Sequence, residues 1–307
     1  MGHHYVPRFL LREWLIDHSK QRVLRGNYYD PYSRRLRERL RGENFFCNVP
    51  DLFTVRGLPS GDDAIERIFF KSLDDDAAIA HQLILQGADL TSEQRVHFVR
   101  LVLSIVARSP ALVSYVKQRR VASDLAMNDD PEIRKFLDEQ GEYRPAKEVW
   151  EDWIGFSSED QAMETVQSLT TNARVGTALL NAPWGVVRLP NDAERFVLGD
   201  RPLTIAKDYS PKNNLWVLPL SPHVAWYCAM SNGAFRQATS ISPSRFVKLV
   251  NGWSASLSDK YVFSLQATKK DWLLRRLRQK HEPAVLKLED GTGQENSRTL
   301  TSSLSGT

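Results

Sequence analysis

The chain reads as an α+β fold, a central helical bundle packed on a mostly antiparallel sheet formed by the C-terminal half and the N-terminal segment. Residues 62–182 carry apolar positions at helical spacing behind capping signals, whereas residues 184–265 carry short β-type runs between turn residues. Strand-like runs also precede the helices, at 20–30 and 51–56, so the first segment has strands to add to the later sheet.

Taken in order, residues 8–16 form a short apolar helix or extended segment closed by Asp17, and residues 20–30 a strand. In the turn and polar stretch at 31–42, Arg34, Arg35, Arg37, Arg39 and Arg41 stand mostly two apart, which suits a strand edge or a basic loop. Residues 51–56 read as another short strand. Asp62 or Asp63 caps a helix to Gly87, with Ile65, Ile68, Phe69, Ala80, Leu83 and Ile84 on apolar positions. Thr91 and Gln94 form a capping box ahead of the most apolar helix, which ends or kinks near Pro110 and resumes to Asp124. Shorter helices follow at 131–141 and 144–155, then one over 158–182 that Pro183 stops. Strands are expected at 184–189, 195–199, 215–219, 225–230 and 260–265, with a helix at 243–252 and a basic amphipathic one at 269–280. Residues 1–285 form a single α+β domain, and the Gly/Ser/Thr-rich residues 286–307 a disordered tail.

The 307 residues are 42% hydrophobic and 25% charged, ordinary for a soluble globular protein. No run of about 18 apolar residues is present and the opening lacks the apolar core of a secretion signal, which excludes a membrane partner and points to the cytoplasm. Cys47 and Cys228 lie in no metal-type spacing and read as reduced thiols. Charge is segregated: residues 1–42 hold ten Arg/Lys against four Asp/Glu, and residues 43–93 hold three against ten. The two blocks either neutralise each other across the fold, or set a basic rim for a polyanion beside an acidic cluster able to hold a cation.

Two of the seven histidines, His3 and His4, sit side by side in a segment too short to be a core element. Adjacent residues of an extended segment point to opposite sides, so one imidazole faces a given site and the other packs. Metal binding, acid–base work and structural capping are the roles open to them. Asp200 follows a strand and opens a turn before Pro202, where it is either a turn residue or a ligand and acid–base group. At 100° per residue, Asp74 and His81 fall about 80° and 60° from Glu66, so the three share one helix face. Asp74, Asp75 and Asp76 point three ways and do not converge. His97, Arg100, Ser104 and Arg108 draw a polar stripe along the Thr91 helix, which faces solvent or lines a polar cavity. Arg108, beside the Pro110 break, is the residue of that stripe best suited to a phosphate. Pro219–Pro222 with His223 reads as a rigid turn, and the C-terminal basic helix as a docking helix or a phosphate contact.

His-His-Tyr-Val-Pro-Arg-Phe-Leu-Leu-Arg (residues 3–12) resembles the opening of a widespread prokaryotic family without an assigned reaction, whose members begin His-His-x-Val-Pro-x-Phe-x-Leu-Arg-x-Phe. Later blocks are similar in order. They are Ile65-Glu66, Arg108-Ser109-Pro110, Phe196–Pro202, Pro219-Leu220-Ser221-Pro222, and Asn251 with the 259–264 run. Gly199 stands where the family has serine, so a catalytic hydroxyl there is not implied. The resemblance spans roughly residues 3–265 and marks residues rather than a reaction.

No phosphate-cradling glycine loop, serine-nucleophile elbow, zinc-protease pair or dinucleotide fingerprint occurs. The expected function is a metal-dependent phosphodiester hydrolase, a nuclease acting on RNA or DNA. His4 and Asp200 are its catalytic pair; His3, His4, Glu66 and Asp200 supply ligands to a divalent metal ion; Arg8 and Arg108 bind substrate phosphate. The alternative is a non-catalytic nucleic-acid- or ligand-binding module in which the His/Asp cluster is a structural clasp. A small-molecule hydrolase with a metal-free His–Asp pair is a third reading.

Overall fold

β3 (Gln21–Asp30) is the strand on which the two ends of the chain meet. It pairs antiparallel with β2 (Leu15–His18) and β4 (Arg35–Arg41), and its Gly26 and Asn27 pair with Phe263 and Val262 of β11 (Val262–Phe263). Strand β11 in turn pairs with β7 (Leu198–Gly199), so the N-terminal segment shares a sheet with two C-terminal strands, and the single sheet expected is divided among several. Gly26 is required there: a Cβ would fall 2.6 Å from the ring of Phe46, which fills that face of the sheet. The computed structural model describes residues 2–56, 60–206, 214–267 and 270–278. The expected tail at 286–307 and the outermost residues of the basic helix lie outside them.

A second sheet has the order β6-β10-β9-β8, with β6 Trp184–Arg188, β8 Thr204–Ala206, β9 Leu215–Ser221 and β10 Val224–Ala229. Every residue of β10 is buried, which is why it reads as a continuous apolar run rather than an alternation. Trp226 packs edge-on against Phe98 of α3 (Ser92–Ala107), while its neighbour Tyr227 meets Phe246 of α10 (Pro243–Leu257). Helices therefore cover both faces, and one apolar cluster extends from Val6 to Phe263. The architecture is α+β with antiparallel sheets, as the sequence predicts.

The helical layer begins with a correction. The helix expected from Asp62 opens as a π-helical turn, Ile65–Phe70, before becoming α2 (Lys71–Gln86), which Gly87 ends at φ +81°. One extra residue in a turn re-aims the side chains around it. The capping box at Thr91 is present, α3 stops at Ala107, and Pro110 opens α4 (Pro110–Asp129) behind the Ser109 cap, with the two helices bent by 66°. Residues 158–182 are two helices, α7 (Ser158–Thr170) and α8 (Ala173–Asn181), because Asn172 caps the second through Val175. Residues 51–56 are not a strand. The strand is β5 (Asn48–Pro50), after which Asp51 takes a left-handed φ of +53° and the chain turns. The arginine-rich stretch is the edge strand β4. The basic helix, α11 (Lys270–Arg278), docks by its buried Leu273 and leaves Arg275 and Arg276 exposed.

Candidate functional site

The first residues are ordered because β1 (Gly2–His4) pairs with β5 in the register His3↔Val49 and His4↔Asn48. Alternation then sends the two imidazoles to opposite sides. His3 is fully buried, stacked on Phe53 at 5.5 Å between centroids, and its Nδ1 accepts the Phe53 N–H at 2.9 Å. Burial lowers its pKa, so the ring is neutral and acts as a packing and capping group. His4 is also held neutral by burial, with Arg8 lowering its pKa further and a hydrogen bond to the Glu43 backbone raising it in part.

His4 meets Glu66. The Glu66 carboxylate accepts the backbone N–H of His4, and the π-turn delivers it there. Burial pushes Glu66 above the usual carboxylate range, and the neighbouring Arg108 pulls it back in part. Arg108 is 1% exposed. Its fork grips Asp74 at 3.1 and 2.6 Å, it donates to Ser104 Oγ at 3.0 Å, and it lies over the Phe70 ring. His4 Nε2, Glu66 Oε2 and Arg108 Nε are each buried without a hydrogen-bond partner. Three such atoms in one cluster are uncommon in a packed interior.

Asp200 stands elsewhere. Its carboxylate accepts three backbone N–H groups at 2.9 Å, from Asp259, Lys260 and Tyr261, clamping the loop before β11. Desolvation pushes its pKa up to about 6, since burial outweighs these donors and Asp259 adds a like charge. It hydrogen-bonds neither histidine, so the expected His4–Asp200 pair is not formed. Arg8 is not open to a phosphate either: with Arg12 it closes on Glu43, at 2.7 and 2.9 Å. Arg108 spends its fork on Asp74. Of the expected metal ligands, His4 and Glu66 meet, whereas His3 and Asp200 are held in separate contacts. Among the described residues no group of three or more His, Cys, Asp or Glu side chains is placed to hold a metal ion.

Other candidates resolve in the same way. Asp75 pairs with Lys71, Asp76 with His97 and Asp74 with Arg108, three directions as expected. His81 is buried and bonds the Leu220 carbonyl instead of joining Glu66. The α3 stripe divides: Ser104 and Arg108 are buried, whereas His97 and Arg100 line an open groove of about 650 Å³ between α2, α3 and α7. Asn251 ties α10 to the chain at Val197 and Arg195. Cys47 and Cys228 are free and buried.

Sequence reasoning missed Tyr5, which bonds Cys47 and lies close enough to Asp200 for that charge, after burial itself, to help raise its hydroxyl pKa. It also missed the aromatic partners of the basic hairpin. Strand β4 turns Arg35, Arg37, Arg39 and Arg41 to one face, while Leu36 on the other packs toward α11. The Arg39 guanidinium lies 5.4 Å from the Tyr28 ring and 5.3 Å from Phe45, and Arg41 lies 6.0 Å from Phe45. Phe45 is 45% exposed and Tyr32, at the hairpin tip, 99%. Among the described residues Arg39 and Arg41 have no carboxylate within ion-pair range, and Arg37 has only Asp30, at 3.7 Å.

No single helix among the described residues is long and apolar enough to cross a membrane. Residues 2–268 match a family described as protein of unknown function (DUF4238), and the chain belongs to that family, an uncharacterised one as the resemblance implied. No curated protein and no solved structure matches it.

Proposed function

We propose that this member of the family is a nucleic-acid-binding module that holds a single strand along the arginine row of the edge strand β4, while the His/Asp residues of its motifs serve as clasps. The observation that carries this reading is Arg39 stacked beside Tyr28 and half-exposed Phe45 in a row of arginines at two-residue spacing. Guanidinium groups displace counterions from phosphates, and flat aromatic faces stack unpaired bases. A duplex offers no free base faces, so single strands should bind more tightly. The test is fluorescence anisotropy with labelled single-stranded and duplex 20-mers across a salt series. The triple variant Arg37→Ala, Arg39→Ala, Arg41→Ala should flatten the slope of log affinity against log salt by about 2, at about 0.7 per phosphate contact. An unchanged slope would remove the hairpin from the binding surface.

The cluster of unpartnered atoms favours a second reading, a phosphodiester hydrolase, in which His4 Nε2 is the base and Glu66, whose carboxyl burial shifts toward the protonated form, is the acid. A divalent ion would find two protein ligands there, His4 and Glu66, one fewer than the three typical of a catalytic zinc site. Incubation of a labelled oligonucleotide with Mg²⁺ or Mn²⁺ separates the readings. Hydrolysis lost in His4→Ala supports the nuclease. An intact oligonucleotide, with a lowered melting temperature in His4→Ala, supports the clasp.

A further inference from the structure

A cavity of about 320 Å³ opens where α3 bends into α4, and three motifs converge on it. Tyr5 comes from the opening motif, Ser109 from Arg-Ser-Pro, and Asp200, Arg201 and Pro202 from the block after β7. Buried Ile105 and Leu112 lie at its base and Leu203 and Ile205, flanking Thr204 in β8, form a wall. The exposed Ser114 and Gln118 of α4 stand at the mouth, the Gln118 amide donating to the Ser114 hydroxyl at 3.2 Å.

Packed interiors leave few voids larger than a water molecule, and this one has room for roughly ten at liquid density. Its walls are mainly aliphatic and give water few partners. The two charges in the wall are matched within the protein: Asp200 by three amides and Arg201 by Asp259 at 3.5 Å. Neither calls for a counter-charge on a ligand, and an ion would lose its hydration without replacement. The volume lies at the lower end of ligand pockets.

We propose that this cavity binds a small, uncharged, mainly apolar molecule that leaves one hydrogen-bonding group at the mouth beside Ser114 and Gln118. The site lies apart from the arginine face of the hairpin and does not depend on how that face is used. The test uses the full chain and the neutral probe N-phenyl-1-naphthylamine. Its emission should rise saturably with one site per chain. The neutral 1-octanol should displace it at concentrations at least ten-fold below those needed for octanoate. Ser114→Trp, at an exposed position that fills the mouth, should abolish the signal. Ala111→Phe, also exposed at the mouth, should do the same, and Val121→Trp, exposed on the same helix but outside the cavity, should not. No saturable signal, wild-type binding by both mouth variants, or equal displacement by octanoate would overturn the proposal.

Discussion

Asp200→Ala should cost about 4 kcal/mol of stability, because it strands three amides that a buried charged acceptor now satisfies. In urea the midpoint should fall with an unchanged slope, the sign of lost native interactions rather than an altered unfolded chain. Asp200→Asn should lose about half as much, since its amide nitrogen turns a donor toward one of those N–H groups. The pH dependence has a definite sign. Burial, ahead of the like charge of Asp259, raises the folded pKa to about 6, so the folded state holds this proton more tightly than the unfolded chain. The pH-dependent part of its stability contribution is complete below the ordinary carboxylate range and is lost as pH rises through about 6, while the three amide bonds persist above it. Asp200→Asn should remove that slope. If Asp200→Ala were as stable as wild type, the clasp would be dispensable and a chemical role for the carboxylate would have to be reconsidered.

The largest electrostatic effect should come from Asp74. Arg108 is fully buried, and Asp74→Ala removes the carboxylate that its fork grips, leaving only the more distant Glu66 nearby, a loss of about 3–5 kcal/mol. Arg108→Met should cost less, about 1–2 kcal/mol, because the Asp74 side chain is 24% exposed and can turn to water while methionine refills the space beside Phe70. The double variant should recover at least about 2 kcal/mol relative to the sum of the single changes. Denaturation free energies of the four proteins measure this directly. An Asp74→Ala protein no weaker than Arg108→Met would mean that another group already neutralises the arginine.

The helical layer was legible because its signals are local. Thr91 with Gln94, Ser109 with Pro110, and Gly87 at a helix end each act through neighbours in the chain. The short strands were legible in place but not in extent: the expected runs at 195–199 and 260–265 contain β7 and β11, which have two residues each, too few to display a period, and which exist because β3 offers β11 an edge and β11 offers one to β7. The sequence marked His3, Glu66, Arg108 and Asp200 as notable but misassigned their partners. Glu66 accepts the amide of His4, His3 accepts the amide of Phe53, and Asp200 accepts the amides of residues 259–261. Every residue but proline carries such an amide, so a carboxylate or imidazole bound to the main chain leaves no complementary side chain to find. Arg108 with Asp74 is the exception, and there the obstacle was distance: the two lie 34 positions apart on different helices.

Strand β4 is outermost, and among the described residues nothing pairs with its far edge. An open edge of backbone donors and acceptors is a template for a second molecule's strand. Positive charge at every second position sets two such edges against each other before their hydrogen bonds can register. Colloidal stability and the proposed capture of a nucleic acid therefore draw on one row of guanidinium groups, and a change made to weaken the second would also erode the first.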